Sequence, residues 1–161
     1  MNAPHNFLIS LEERHANRIL QGTKTVELRR RPMHVALGST VWFYVKMPVG
    51  SIVGCATVTG LHTLAPSTLW RRFGTVSGLK RQEFFEYFSG ISKAFALGLS
   101  EPTELTSPIP LSKLRDVSGG FHPPQFFANV ANDGPLLHVM RQALHGRPAT
   151  SQNLQTELEL A

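Results

Sequence analysis

The stretch Gly22-Thr23-Lys24-Thr25-Val26-Glu27-Leu28-Arg29 decides how this chain is read, because the hydrophobic period changes across it. Before it, Leu11, His15, Ile19 and Leu20 recur at helical spacing, and Ser10 with Glu13 three residues on has the form of a capping box. Gly22 is placed as the C-terminal cap, so the sequence predicts a helix of about three turns ending there. After it the period is two: Val26 and Leu28 point one way, Thr25, Glu27 and Arg29 the other, as in a half-buried strand. A glycine at the turn lets the backbone place Lys24 at the mouth of a sheet rather than on the helix.

Working outward, residues 6–10 read as a short strand. Thr40 to Lys46 and Ile52 to Thr59, joined by the turn Pro48-Val49-Gly50, read as a hairpin. Two helices are expected over Ser67 to Phe73 and Lys80 to Phe88, parted by a loop that holds Gly74 and Gly78. Phe84, Phe85 and Phe88 make a helical stripe that belongs to a core rather than to a base-stacking platform. Lys93 to Ser100 reads as a strand, Pro102 to Arg115 as a proline-interrupted edge, Phe126 to Ala131 as a last strand and Leu136 to Leu144 as a closing helix. The order is not the regular alternation of a doubly wound sheet, so the expected class is α+β, a small mixed β-barrel flanked by helices. One domain over residues 6–145 is expected, with residues 146–161 as a polar, flexible C-terminal tail.

A chain of 161 residues with 42% hydrophobic and 17% charged residues can bury one core, which excludes disordered and collagen-like classes. No apolar run approaches the ~18 residues of a membrane helix, and no basic segment precedes an apolar one at the start, so a cytoplasmic protein with no membrane partner is expected. The lone Cys55, in an apolar strand, reads as an inert core thiol. Seven histidines lack HxH or HxxxH spacing, and no Walker or dinucleotide loop is present, so neither a metal site nor a cofactor is expected.

Charge is unevenly spread. Residues 14 to 81 carry eleven basic groups against one acid, Glu27, an asymmetry that favours a polyanionic partner through counterion release. Lys24 and Arg29 are candidate anion contacts. Glu27 is a base-edge acceptor, and Arg18, Arg31 and Lys46 are candidate backbone contacts. Of Trp42 and Tyr44, one could stack a base while the other packs; His15 either lines the same cleft or fills the inner face of the helix. On residue chemistry alone, Glu27 also reads as half of a surface ion pair worth ~1 kcal/mol or less, and the basic face as a dock for an acidic protein.

The segment has the form GxKxxExR, which arises by chance at roughly one start in 10⁵ for average composition. With the amphipathic helix Glu12 to Gln21 before it, it resembles the signature of the ASCH domain, a member of the PUA-like superfamily of small β-barrels. The resemblance extends to the hairpin Val41 to Val58, to Phe85-Glu86-Tyr87-Phe88 leading into Ala94-Phe95-Ala96-Leu97, to Ser107-Pro108-Ile109-Pro110-Leu111 and to Pro123-Pro124-Gln125-Phe126-Phe127. It covers about residues 7 to 131.

The resemblance implies a barrel with a cleft beside the motif, an RNA or nucleotide partner, and hydrolysis in certain members, either of RNA or of an acetylated cytidine. Members that deacetylate cytidine use a lysine, a threonine and a glutamate. Lys24 matches the lysine, but Glu27 stands where the threonine falls, leaving Lys24 and Glu27 as the candidate catalytic pair, with Glu83 and Glu86 as further acids. A carboxylate beside Lys24 is expected to favour its charged form, against a role as base.

Overall fold

A computed structural model describes residues 3–145, so the expected tail lies outside the described residues. The order of elements is β1 (Asn6–Leu11), α1 (Glu13–Gln21), β2 (Val26–Arg29), β3 (Thr40–Val45), β4 (Ser51–Leu64), α2 (Pro66–Phe73), α3 (Arg81–Tyr87), β5 (Ala94–Pro110), α4 (Leu111–Val117), β6 (Phe127–Val130) and α5 (Pro135–His145). A single 3-10 turn, Gly74–Val76, follows α2.

The six strands form one mixed sheet in the order β2-β5-β4-β3-β1-β6. β1 runs parallel to β3 and every other pair is antiparallel. Period-two alternation sorts side chains to its two faces. Phe7, Ile9, Val41, Phe43 and Val45 pack with Ala16 and Ile19 of α1, whereas Leu8, Trp42, Tyr44 and Ile52 pack with Leu114 of α4 and with Leu137 and Met140 of α5. A third cluster joins Val26 and Leu28 of β2 to Leu69 of α2 and to Phe84 and Phe88 of α3, so two residues of the phenylalanine stripe are core, whereas Phe85 is only half-buried at its edge. Cys55 is buried in the second cluster, and burial pushes its thiol up to about 11.

The α+β class holds, but the sheet does not close into the expected barrel. Its edge strands β2 and β6, four residues each, do not pair with one another. β6 covers Asn6 to Ile9 of β1 and stops there, leaving Ser10 and Leu11 beyond its reach. Across the opening, the Arg29 guanidinium of β2 donates to the Ser10 carbonyl at 3.2 Å, a side chain standing where a ladder bond would be.

Three local expectations also change. Ser10 is not a helix cap: it ends up in β1, with its hydroxyl donating to the Pro124 carbonyl at 2.6 Å, and α1 begins at Glu13 with no side-chain cap. β2 is buried on both faces, because Glu27 is only 6% exposed. β5 runs on to Pro110, tolerating its prolines because β2 pairs only with Phe95 to Gly98, so the later half has β4 alone beside it; α4 follows directly. Among the described residues no helix is long and apolar enough to cross a membrane.

Candidate functional site

Gly22 ends α1 in the left-handed conformation, φ 84°, and its N–H and that of Thr23 return to carbonyls of the last helical turn. That turn sends Lys24 inward instead of out to solvent. Lys24 is 2% exposed, and its ammonium donates to the Ser77 carbonyl in the loop between α2 and α3. Arg18 reaches the same loop, donating to the Gly78 carbonyl. The burial of Lys24 pushes its ammonium below its ordinary pKa, an effect larger than the opposing pull of Glu27. This reverses the expectation from the sequence: loss of water around the lysine outweighs its carboxylate neighbour.

Beyond the turn, β2 carries Glu27 and Arg29 into a cavity of about 210 Å³ at the opening between β1 and β2. Lys24, Glu27, Arg29 and Lys46 all line it, together with Arg14 and His15 of α1 and Glu83 and Tyr87 of α3. Glu27 Oε1 accepts from the Leu28 N–H at 3.1 Å, while Oε2 is buried without a hydrogen-bond partner. His15 Nδ1 is in the same condition. Burial, with the Lys24 charge nearby, holds the His15 imidazole below its ordinary value.

The rim is tied together across elements. The Arg14 guanidinium grips both Glu83 carboxylate oxygens, at 2.6 and 3.1 Å, and reaches Glu12 at 3.1 Å. Through that hydrogen bonding Arg14 depresses the Glu83 carboxyl. The Tyr87 hydroxyl donates to the Leu28 carbonyl at 3.3 Å, and burial raises its pKa. Four cationic side chains and three carboxylates line the cavity, and Arg14 is already matched, so the positive charge left for a ligand comes from Lys24, Arg29 and Lys46.

Four candidates, Tyr44, Trp42, Arg18 and Arg31, lie outside this group. Tyr44 is 2% exposed on the opposite face of the sheet, against Phe121, and Trp42 beside it donates to Asn6, so neither strand aromatic reaches the cavity. Arg18 is committed to the loop, and Arg31 is exposed with its guanidinium 4.5 Å from the Phe126 ring. Conversely, Arg14, Ser10 and Tyr87 enter the site without a signal in the motif. Tyr87 falls four residues after Glu83 on α3 and so shares its side of the helix, a spacing that could have pointed to it. Among the described residues no group of three or more His, Cys, Asp or Glu side chains is placed to hold a metal ion.

The arrangement offers one buried carboxylate oxygen, one uncharged imidazole and a flanking set of cations in a cavity sized for a single small unit. The family model of the ASCH domain matches residues 9–108. The ASCH domain-containing ribonuclease of Zymomonas mobilis is 37% identical over 118 residues, which span 73% of this chain and 79% of that one. The crystal structure of ASCH from Zymomonas mobilis superposes with a TM-score of 0.79 at 32% identity, covering 84% of this chain and 94% of its own. A hypothetical protein from Leishmania major, 12% identical with a TM-score of 0.58 over 88% of this chain and 95% of its own, shares the fold alone. With its signature turn, its sheet and 100 of its residues matched by the family model, the chain belongs to the ASCH domain family.

Proposed function

We propose that this protein binds single-stranded RNA and seats one nucleotide unit in the cavity beside Lys24. The observation that carries the reading is the pair of buried polar atoms without partners, Glu27 Oε2 and His15 Nδ1, on side chains that share the cavity with Arg29 and Lys46. A buried acceptor left unpaired costs about 1–3 kcal/mol, which a ligand bringing a donor recovers. A nucleotide brings donors on its base edge or ribose and an anion on its phosphate, matching both halves of the lining. A duplex keeps its bases stacked and could not deliver one unit inward, which favours a single strand. The ribose 2′-hydroxyl, both donor and acceptor, favours RNA over DNA. Arg29 and Lys46 then contact phosphate, and Lys24 supplies charge from the cavity wall.

Fluorescence anisotropy with labelled single-stranded RNA, the same sequence as DNA, and an RNA duplex tests this. The expected order places single-stranded RNA first, with affinity falling as salt rises. Equal binding of all three, or affinity for RNA that stays flat with salt, overturns it.

A second reading, that the bound RNA is cleaved, is favoured by the ribonuclease name of the 37% identical relative. Attack of the 2′-hydroxyl on the adjacent phosphorus needs a base for the hydroxyl proton, a cation for the developing charge and an acid for the departing 5′-oxygen. Glu27 Oε2 or the uncharged His15 serves the first role, Arg29 and Lys46 the second, and the Lys24 ammonium, its pKa lowered, the third. Gel analysis of labelled RNA, with and without EDTA, tests it: a 2′,3′-cyclic phosphate end is expected, and intact RNA after prolonged incubation rejects it.

A further inference from the structure

α3 is a ridge with two working sides. Glu83 and Tyr87 face the cavity, while Arg81, Gln82 and Phe85 line an open groove on the other side of the same helix. In the groove the Arg81 guanidinium lies 4.8 Å from the Phe85 ring centre, and Trp70 of α2 packs behind Phe85 at 6.1 Å. Gln82 donates to Glu86, which occupies the one carboxylate of the groove. Nearby on the chain, Arg71 and Arg72 close the last turn of α2 and Lys80 precedes α3; all three are exposed. Among the described residues, none of these cations forms an ion pair with a carboxylate.

We propose that this groove is a second contact for the RNA strand, holding the nucleotides next to the one in the cavity as the strand passes over α3. The proposal rests on the RNA-binding reading above. Two features support it. Exposed, unpaired cations complement a polyanion, and a half-buried phenylalanine offers a ring face on which a base can stack once Arg81 swings onto a phosphate. Because the two sites lie on opposite sides of one helix, a strand too short to cross the ridge fills only the cavity.

The test compares a 2′-O-methyl dinucleotide, which cannot be cleaved through its blocked 2′-oxygen, with an oligomer of about eight nucleotides of the same chemistry. Wild-type protein is expected to bind the longer strand at least tenfold more tightly. Arg81→Glu, at an exposed position, is expected to weaken the longer strand about tenfold and leave the dinucleotide unchanged. Phe85→Leu, which keeps the contact with Trp70, is expected to give a smaller loss with the same length dependence. An Arg81→Glu protein that binds the longer strand like wild type overturns the proposal, as does a wild type indifferent to length. Arg29→Ala serves as the separate arm for the cavity: it is expected to weaken both lengths, and unchanged dinucleotide binding would reject the cavity reading while leaving the groove result intact.

Discussion

The Lys24 ammonium is bonded to the Ser77 carbonyl, so the central lysine of the signature turn is a strut between the end of α1 and the loop that leads into α3. The packing around it is close: a Cβ at Gly78, φ 74°, would lie 3.1 Å from Lys24 Cδ, and Arg18 holds the Gly78 carbonyl. The loop then delivers Leu79 to the cavity wall and starts α3, which carries Glu83 and Tyr87. Lys24 therefore shapes the site as well as charging it.

Truncation of this side chain is expected to cost stability even without RNA. Lys24→Ala removes the buried stem and leaves the Ser77 carbonyl without its donor, for a loss of about 3 kcal/mol. Lys24→Met keeps the volume and drops the buried charge, so about 1 kcal/mol is expected. Urea unfolding measures both. Equal, near-zero losses would mean that the strut carries no load.

The turn was legible in the sequence because its physics is local. Gly22 supplies the left-handed cap that other residues adopt at a cost, and the change from helical to period-two spacing across Lys24 fixes where the strand starts. Closure of the sheet was not legible. It depends on how far β6 reaches along β1, and the pattern of Phe126 to Ala131 gives no length to better than a residue or two. The desolvation of Lys24 was hidden for a similar reason, since the Ser77 carbonyl that buries it lies 53 residues away. Arg14 and Tyr87 join the site only through the packing of α1 and α3 beside β2.

Acid is expected to destabilise the protein through His15. Its folded-state pKa is lowered from 6.5, so below pH 6.5 the unfolded chain binds a proton that the folded one resists. Stability from this group is complete above 6.5 and is lost as pH falls from there toward the depressed folded value. His15→Gln should flatten that limb of the stability curve. Thermal melts between pH 7 and pH 5 measure it, and a variant with the same slope as wild type assigns the acid sensitivity elsewhere.

Lys46 is an exposed cation at the cavity that, unlike Arg14, forms no ion pair among the described residues. If it neutralises one phosphate, Lys46→Ala is expected to lower the slope of log affinity against log salt by about 0.7, the single-strand value per contact. Its fold should be untouched, because the Lys46 side chain makes no hydrogen bond or ion pair among the described residues. Anisotropy titrations over a range of salt measure the slope. A variant that binds more weakly with an unchanged slope would place Lys46 away from the phosphate.

Glu27→Gln separates the roles assigned to the buried carboxylate. The amide keeps the side-chain shape and can still accept from the Leu28 N–H, so the fold should persist. The amide cannot take a proton from a ribose hydroxyl. If Glu27 is the base, RNA cleavage is expected to fall about 10²–10⁴-fold while RNA affinity changes by less than about tenfold. His15→Gln provides the contrast: whichever of the two variants abolishes cleavage marks the base, since each removes one of the two buried atoms left without partners. Paired binding and cleavage assays on one labelled RNA read both quantities. Cleavage that survives both substitutions would rule out these two groups as the base.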